Sequence, residues 1–588
     1  MTQVNFGGML GSSKSSLKGV ASGIDSEALI NSLIEKRSKP IHIQEDKISI
    51  NNEKIAAFGE LASKLNTLQS SLTNLKGLRF SEDGTNALEA KNVSLFSSAT
   101  SAPNSYLDVS ADYTSSLGTF NVTVDAIAKN KILKSQTFTD PALSATNPTS
   151  DHSNSNLFTP GTFAINGTNI TVAANDSLNT IVSNINNVAS TTGVSASVIY
   201  TGSNYLMMLQ SNNTGISNAF TLTDPSNVLN SNFTLGSSTV QSAADASITI
   251  NDSIQVTRAS NTISDAINGV TFSLHAPIAS AISVNIGYDN NKAADAVEEF
   301  IASYNDFIKF TTQQQGIDKN GEYYETAKIK HNDFVASLRG NIETLTSSIA
   351  YLDSSQKSIG IHYVDSVPAN PATQEPEYIG LMSFDREEFA AAFNSNPTRV
   401  QSLFEFKGTC SSTNFYTYKR GSNISNLAFN IDLDVTRAPS DRARIVYNGT
   451  TTVAGTFTPN NLNDLTKGGV IKGAKGTLFE GYEWFYNGTG METANLTVNQ
   501  GIMDKIYNSL GIALNVDPLT GESLIQNEIT SLVVSNTGMQ KDIVHKQSQL
   551  EFYKEGLVQK YSMLEAAVVR ANTMLTMMDI QMQVMSKK

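Results

Sequence analysis

The sequence holds a single cysteine, Cys410, so no disulfide can form within one chain and stability has to come from packing and assembly. Lysine and arginine are missing altogether from Ser135 to Thr257, and the chain carries a net charge of −13. Nucleic acid is bound by cations that displace condensed counterions, so that stretch cannot be a phosphate-binding surface; anionic membrane is disfavoured on the same grounds. No uninterrupted apolar run reaches the ~18 residues of a spanning helix, which excludes membrane insertion. The opening residues, Met1 to Gly23, are rich in Gly and Ser and have no continuous apolar stretch. They read as a flexible arm, and no Sec-type signal peptide is expected. Charged residues make up 16% and aromatics 8%, yet 40% hydrophobic content is enough for several small cores. The length suggests about four domains.

Signatures of chemistry are lacking too. His42, His152, His275, His331, His362 and His545 are scattered without ligand-like spacing, and neither HExxH nor CxxC occurs. Asp318-Lys319-Asn320-Gly321 places its glycine two residues early for an EF-hand loop. Gly468, Gly469, Gly473 and Gly476 form a turn-like stretch, but Ala474 separates Gly473 from Lys475, so no P-loop results. Cys410 has no activating neighbour in sequence. The expectation is a protein that is not an enzyme and has no cofactor and no metal.

What the chain does have is helical seams at both ends. Ile529, Asn536, Ile543, Leu550, Leu557, Leu564, Ala571, Met578 and Met585 recur every seventh residue, and all but Asn536 are apolar. Phe58, Leu61, Leu65, Leu68, Leu72 and Leu75 alternate spacings of three and four. Such narrow stripes suit a partner helix. A helix of about 60 residues would reach roughly 90 Å, which points to an elongated assembly subunit. The partner can lie within the chain or outside it for 40–78 and 529–555. For the last thirty residues, where Met574, Met577, Met578, Met582 and Met585 make a soft face, a contact with another molecule is expected.

Between the seams the pattern is mixed. Asp25 is a candidate N-cap with Glu27 in the first turn, Leu29, Ile30, Leu33 and Ile34 follow at helical spacing, and Pro40 should end or bend that helix. Gly77 is a candidate stop for the seam that follows. Phe120, Val122 and Val124 alternate with polar residues, as do Ile248, Ile250, Ile254 and Val256, then Phe272, Leu274, Ile282, Val284 and Ile286. The Asn/Ser/Thr-rich stretch 136–244 carries the turn signal Asn166-Gly167 and one helix candidate, with Leu178, Ile181, Val182, Ile185 and Val188 on a face. Helices are expected around Val297–Ile308, over 331–352 with Phe334, Leu338, Ile342 and Leu345 inward, after Asp385, and from Pro397. From Lys407 to about Gln500 strands return, with Asn448-Gly449 as a hairpin turn and Trp484 among aromatics.

Several blocks resemble, in order, the bacterial flagellar hook-associated protein 2 (filament cap) family. They are Gly19-Val20-Ala21-Ser22-Gly23-Ile24-Asp25; Ser116-Leu117-Gly118-Thr119-Phe120; Asn261-Thr262-Ile263 with Gly269-Val270-Thr271; and Phe300 with Tyr304-Asn305. Gly380-Leu381-Met382-Ser383-Phe384-Asp385 through Asn396-Pro397 to Leu403-Phe404, and Gly501-Ile502, complete the set. The segment 407–500 departs from the pattern, since many relatives lack it. The resemblance implies a non-enzymatic subunit exported through the flagellar channel. It would form a homo-oligomeric ring at the distal filament tip and promote folding and insertion of flagellin. The implied partners are other copies of itself, flagellin, a hook–filament junction protein and an export chaperone. Host-surface glycans or proteins would join them if the tip also acts as an adhesin. A hook–filament junction protein and a dedicated surface adhesin are the alternative readings.

The expected fold class is α+β and multidomain, with a helical, coiled-coil leg built from both termini and central helices and with inserted antiparallel β head domains. The expected divisions are an arm and short helix over 1–39; a leg from 40–79, 291–406 and 501–560; β heads from 80–135 with 245–290 and from 136–244; a further β insertion over 407–500; and a coiled-coil arm over 561–588. The expected filament and self-assembly contacts are Leu29, Ile30, Leu33 and Ile34 with Leu557, Leu564, Val568, Leu575, Met578 and Met582.

Overall fold

The computed structural model describes residues 22–77, 86–138, 158–174, 176–235, 239–317, 322–347, 349, 358–370, 376–421, 424, 426–449, 451–515 and 522–586. The arm expected before residue 22, with the first three residues of the opening family-like block, lies outside them, as do His152 and the Asp318–Gly321 turn. The chain divides into two compact units, residues 1–82 with 295–588 and residues 83–294. The α+β class holds: long helices near both ends and in the middle, with antiparallel sheets between.

The first unit begins with helix Ser26–Ser71, whose N-cap Asp25 accepts from the Ala28 amide at 2.9 Å. Of the two outcomes expected at Pro40, an end or a bend, the first does not occur, since the helix runs unbroken through it. An interior proline costs about 3 kcal/mol. Burial of Ile30 and Ile41 on either side of it offsets that cost. The helix closes at Ser71, short of Gly77, because the seam carries on through the following turn: Leu68, Leu72 and Leu75 are all fully buried.

Helix Asn290–Gln315 buries Val297, Phe300, Tyr304, Phe307 and Ile308. Asn305 joins two of the family-like blocks, donating from Nδ2 to the Met382 carbonyl (2.7 Å) and accepting from the Met382 amide (2.8 Å). The Tyr304 hydroxyl donates to the Gly380 carbonyl, 3.0 Å away. The helix expected over 331–352 runs Asp333–Ser347 and buries Val335, Leu338, Ile342 and Thr346. The inward face is thus turned by about one residue from the expected Phe334 and Leu345, because Val335 and Thr346 at i−3 and i+4 complete the Leu338–Ile342 stripe. Asp385 and Asn396 cap helices Arg386–Ser395 and Pro397–Phe404 through their side chains.

Residues 406–500 form one eight-stranded antiparallel sheet. Its order is Phe406–Cys410, Met491–Gln500, Asn426–Asp434, Ala443–Tyr447, Thr451–Pro459, Gly469–Gly473, Glu483–Tyr486, Phe415–Lys419. Asn448 and Gly449 take φ 51° and 76°, in the left-handed region that such turns use, between the paired residues Tyr447 and Thr451. Trp484 is fully buried against Phe429, Phe479 and Tyr482. A buried polar network ties this sheet to helix Ile502–Leu514. Arg420 Nε lies 3.4 Å from Asp504 Oδ1, and both side chains are almost wholly buried. Gln500 Nε2 and Asn508 Nδ2 donate to Asp504 Oδ2 at 2.7 and 3.0 Å, while the Tyr482 hydroxyl donates to Gln500 at 2.6 Å.

The second unit holds two β cores. In the first, the sheet Lys91–Phe96, Ile278–Tyr288, Gly118–Ala126, Ala246–Ile250, Ile254–Arg258 packs with the three strands Thr262–Ile267, Val270–Leu274 and Leu107–Ala111 around Val122, Val124, Ile248, Phe272, Ile282 and Val284. In the second, sheets of four and three strands enclose Phe163, Met207, Leu209, Phe220 and Phe233. Helix Leu178–Asn187 closes that core with Leu178, Ile181 and Ile185, as its spacing predicts.

Removing one member of the Arg420–Asp504 pair would leave the other charge buried. Asp504→Ala should therefore lower the unfolding free energy by about 3–5 kcal/mol. The double variant Arg420→Met, Asp504→Leu should recover most of that loss. Denaturant titrations of the three proteins check both statements.

Candidate functional site

The N-terminal helix Ser26–Ser71 and the C-terminal helix Leu524–Met585 pair with each other, and their contacts climb one helix as they descend the other. Asn51 Nδ2 donates to Asn536 Oδ1 (2.8 Å), and Asn536 Nδ2 donates to Asn52 Oδ1 (2.9 Å). Further along, Lys546 Nζ donates to Gln44 Oε1 (3.0 Å), and the Arg37 guanidinium sits 4.0 Å above the Tyr553 ring. The Ser22 hydroxyl donates to Glu565, a carboxylate only 7% exposed. The pairing is therefore antiparallel and continuous from Asn51–Asn536 to Ser22–Glu565.

Heptad residues fill the interval between these polar contacts. Ile30, Ile41 and Ile543 are buried, and Leu33, Ile34, Leu550 and Leu557 are half-buried. Asn536, the single polar member of the seven-residue repeat, fixes the register. Shifting one helix against the other would place its amide against apolar side chains and leave it unbonded.

The ten residues expected to make assembly contacts fall into two groups. Leu29, Ile30, Leu33 and Ile34 lie in the helix stretch that meets the stretch holding Leu557 and Leu564, bracketed by the Arg37–Tyr553 and Ser22–Glu565 contacts. Ile30 is only 4% exposed, whereas Leu29 and Leu564 stay 44% and 42% exposed. Val568, Leu575, Met578 and Met582 lie beyond Glu565. Val568 is half-buried, and every residue from Ala571 to Ser586 is exposed. Leu575, Met578, Ile580, Met582 and Val584 present an apolar surface there at one end of a 62-residue helix.

Sequence reasoning missed the partners of this pairing. Asn51 and Asn52 carried no period of their own, and Arg37 over Tyr553 links residues far apart in the chain. A detectable signal was Asn536 itself, whose break in the apolar repeat demands a polar partner opposite.

Among the described residues no cluster of three or more His, Cys, Asp or Glu side chains could hold a metal ion. His42, His275 and His362 each meet a single surface carboxylate, Glu45, Asp108 and Glu388. Burial pushes the Cys410 thiol above its ordinary pKa, opposite to what a nucleophilic thiolate needs. Among the described residues no helix is long and apolar enough to cross a membrane.

Comparison with known proteins bears on the same elements. The family profile "Flagellar hook-associated protein 2 C-terminus" matches residues 243–573, its N-terminal counterpart matches 22–131, and a "Flagellin hook IN motif" matches 162–213. The chain is 27% identical over 410 residues to flagellar hook-associated protein 2 of Escherichia coli K12, covering 66% of this chain and 79% of that protein. It is 24% identical over 294 residues to the B-type flagellar hook-associated protein 2 of Pseudomonas aeruginosa, covering 46% of this chain and 56% of the relative. Among solved structures, the D1-D2-D3 domains of the flagellar cap protein FliD from E. coli align with a TM-score of 0.43 at 25% identity, covering 59% of this chain and 90% of that one.

If Asn536 sets the register, Asn536→Leu should raise the thermal stability of the helix pair while loosening its alignment. Single-cysteine pairs placed one heptad out of register, on a Cys410→Ser background, should then cross-link in the variant and not in the parent. Equal cross-linking in both would remove the assigned role of Asn536.

Proposed function

The chain belongs to the flagellar hook-associated protein 2 family, and from that premise we propose that it caps the distal end of a bacterial flagellar filament as a non-enzymatic homo-oligomer. The observation that carries the reading is the exposed apolar end of the C-terminal helix beyond Glu565, held out by a helix pair whose register is fixed farther down. An apolar surface of this kind is unfavourable in water and calls for a partner. At a filament tip that partner is the flagellar end itself, meaning flagellin or a hook–filament junction protein. Before assembly the same surface needs cover, which an export chaperone would supply during passage through the flagellar channel. Met574, Met577, Met578, Met582 and Met585 suit such an exchange, since methionine adapts to differently shaped partners.

The grip consists of Leu564, Val568, Leu575, Met578 and Met582. Leu29, Ile30, Leu33 and Ile34 serve it by holding the C-terminal helix in place. Each apolar side chain buried there contributes about 1.5–3 kcal/mol before ordering costs. With the cap seated, arriving flagellin folds and inserts beneath it.

Two measurements check this reading. A strain lacking the protein should release flagellin into the medium and grow no full-length filaments; normal filaments and swimming would overturn the cap assignment. The variant Leu564→Asp, Val568→Asp, Leu575→Asp should keep the far-ultraviolet dichroism of the parent yet fail to restore motility to that strain. Full restoration would remove this surface as the grip.

A further inference from the structure

The paired terminal helices carry two more surfaces, one along the line where they meet and one on the back of the N-terminal helix. On one side an open groove of about 610 Å³ runs between them, with Ile48 and Ile55 on one wall and Val533 and Val544 on the other. Val533, Thr537, Gln540 and Val544 follow one another at spacings of four, three and four, and Ile48, Asn52 and Ile55 at four and three. This is the pattern with which two helices accept the side chains of a third. Val533 and Val544 are 47% and 58% exposed, so nothing in the chain fills the groove among the described residues.

On the back of the N-terminal helix, two residues out of phase with the Ile41, Ile48, Ile55 stripe, stand Ile43 and Ile50. They lie seven residues apart and are 54% and 51% exposed. Two residues of helix turn the side chain by about 200°, so this stripe faces away from the partner helix. Isoleucines repeating every seventh residue on an exposed helix back have the shape of knobs for a groove of the kind just described.

Charge agrees with shape. Asp46 flanks the Ile43–Ile50 stripe, and Lys541 stands on the outer rim of the groove. Neither has an ion-pair partner among the described residues, while Lys47 borders the stripe on its other flank and would face solvent.

We propose that these two surfaces are the two halves of one contact between copies of this chain: Ile43 and Ile50 of one copy enter the Ile48/Ile55/Val533/Val544 groove of the next, with Asp46 meeting Lys541. The inference rests on the reading that the protein works as a multi-copy cap and names where its copies touch. The contact joins unlike surfaces, so each copy retains one free knob and one free groove until the assembly closes on itself. The knobs are centred five residues before the groove on the same helix, so neighbouring helix pairs that run side by side in the same direction are staggered by about 7.5 Å. Repeated at every contact, such a step closes into a ring only where the helix pairs tilt relative to the ring axis.

Cross-linking of the full-length chain on a Cys410→Ser background tests the contact. Ile50→Cys protein mixed with Val533→Cys protein should form a disulfide-linked heterodimer under mild oxidation, whereas neither protein alone should form a dimer efficiently. Separately, Ile43→Asp with Ile50→Asp should weaken self-association measured by sedimentation at least about a hundredfold. Both residues are exposed, so the helix content should not change. Asp46→Lys alone should weaken association, and Asp46→Lys with Lys541→Asp should restore it. Efficient homodimers of either single-cysteine protein, or undiminished association of the double aspartate variant, would overturn the proposal. Heterodimer formation by a chain that cannot restore motility would instead leave the contact standing and count against the cap reading.

Discussion

Everything described for the helical unit's far end depends on the antiparallel pairing of the two terminal helices. Isolated helices are marginal in water, and tertiary contact along one face supplies what propensity does not. The pairing carries Pro40 through an unbroken helix, buries Ile30, Ile41 and Ile543, and places Glu565 against Ser22. It also determines where cover ends. Past Glu565 the C-terminal helix has no described neighbour, and its apolar side chains stand in solvent from Ala571 onward.

Apolar seams alone would tolerate sliding by a heptad, which would lengthen or shorten the uncovered end. The Asn51–Asn536–Asn52 amide contacts remove that freedom. A second polar device acts in the same unit. Arg420, Asp504, Gln500 and Asn508 fix the eight-stranded sheet to helix Ile502–Leu514. In both places satisfied buried polarity supplies position where apolar packing supplies adhesion.

Much of this was legible in the sequence. The period-two runs at Phe120–Val124, Ile248–Ile250 and Ile282–Ile286 all became strands, and Asp25, Asp385 and Asn396 all cap helices. These features are local, and local chemistry decides them. The seven-residue repeat from Ile529 was equally plain, but a repeat states only that a partner exists. That its partner through Leu557 is the chain's own first helix is long-range information. Pro40 does not end its helix: the rule for proline counts the lost hydrogen bond and not the packing on both sides of it. The inward face of Asp333–Ser347 was misplaced because Thr346, though polar, is fully buried and bonds back to the Ile342 carbonyl. Of the proposed assembly surface, the exposed Leu575–Met582 stripe could be read from composition. The groove beside Val533 and Val544 could not, since it exists only once two distant segments lie together.

Amide hydrogen exchange along the C-terminal helix tests the central claim most directly. In the free protein, amides around Ile543 to Leu557 should exchange slowly and those from Ala571 to Met585 fast. On filament tips carrying the protein, the second group should become protected as well. Uniform protection along the whole helix in the free protein, or no gain of protection beyond Glu565 on the filament, would contradict the account.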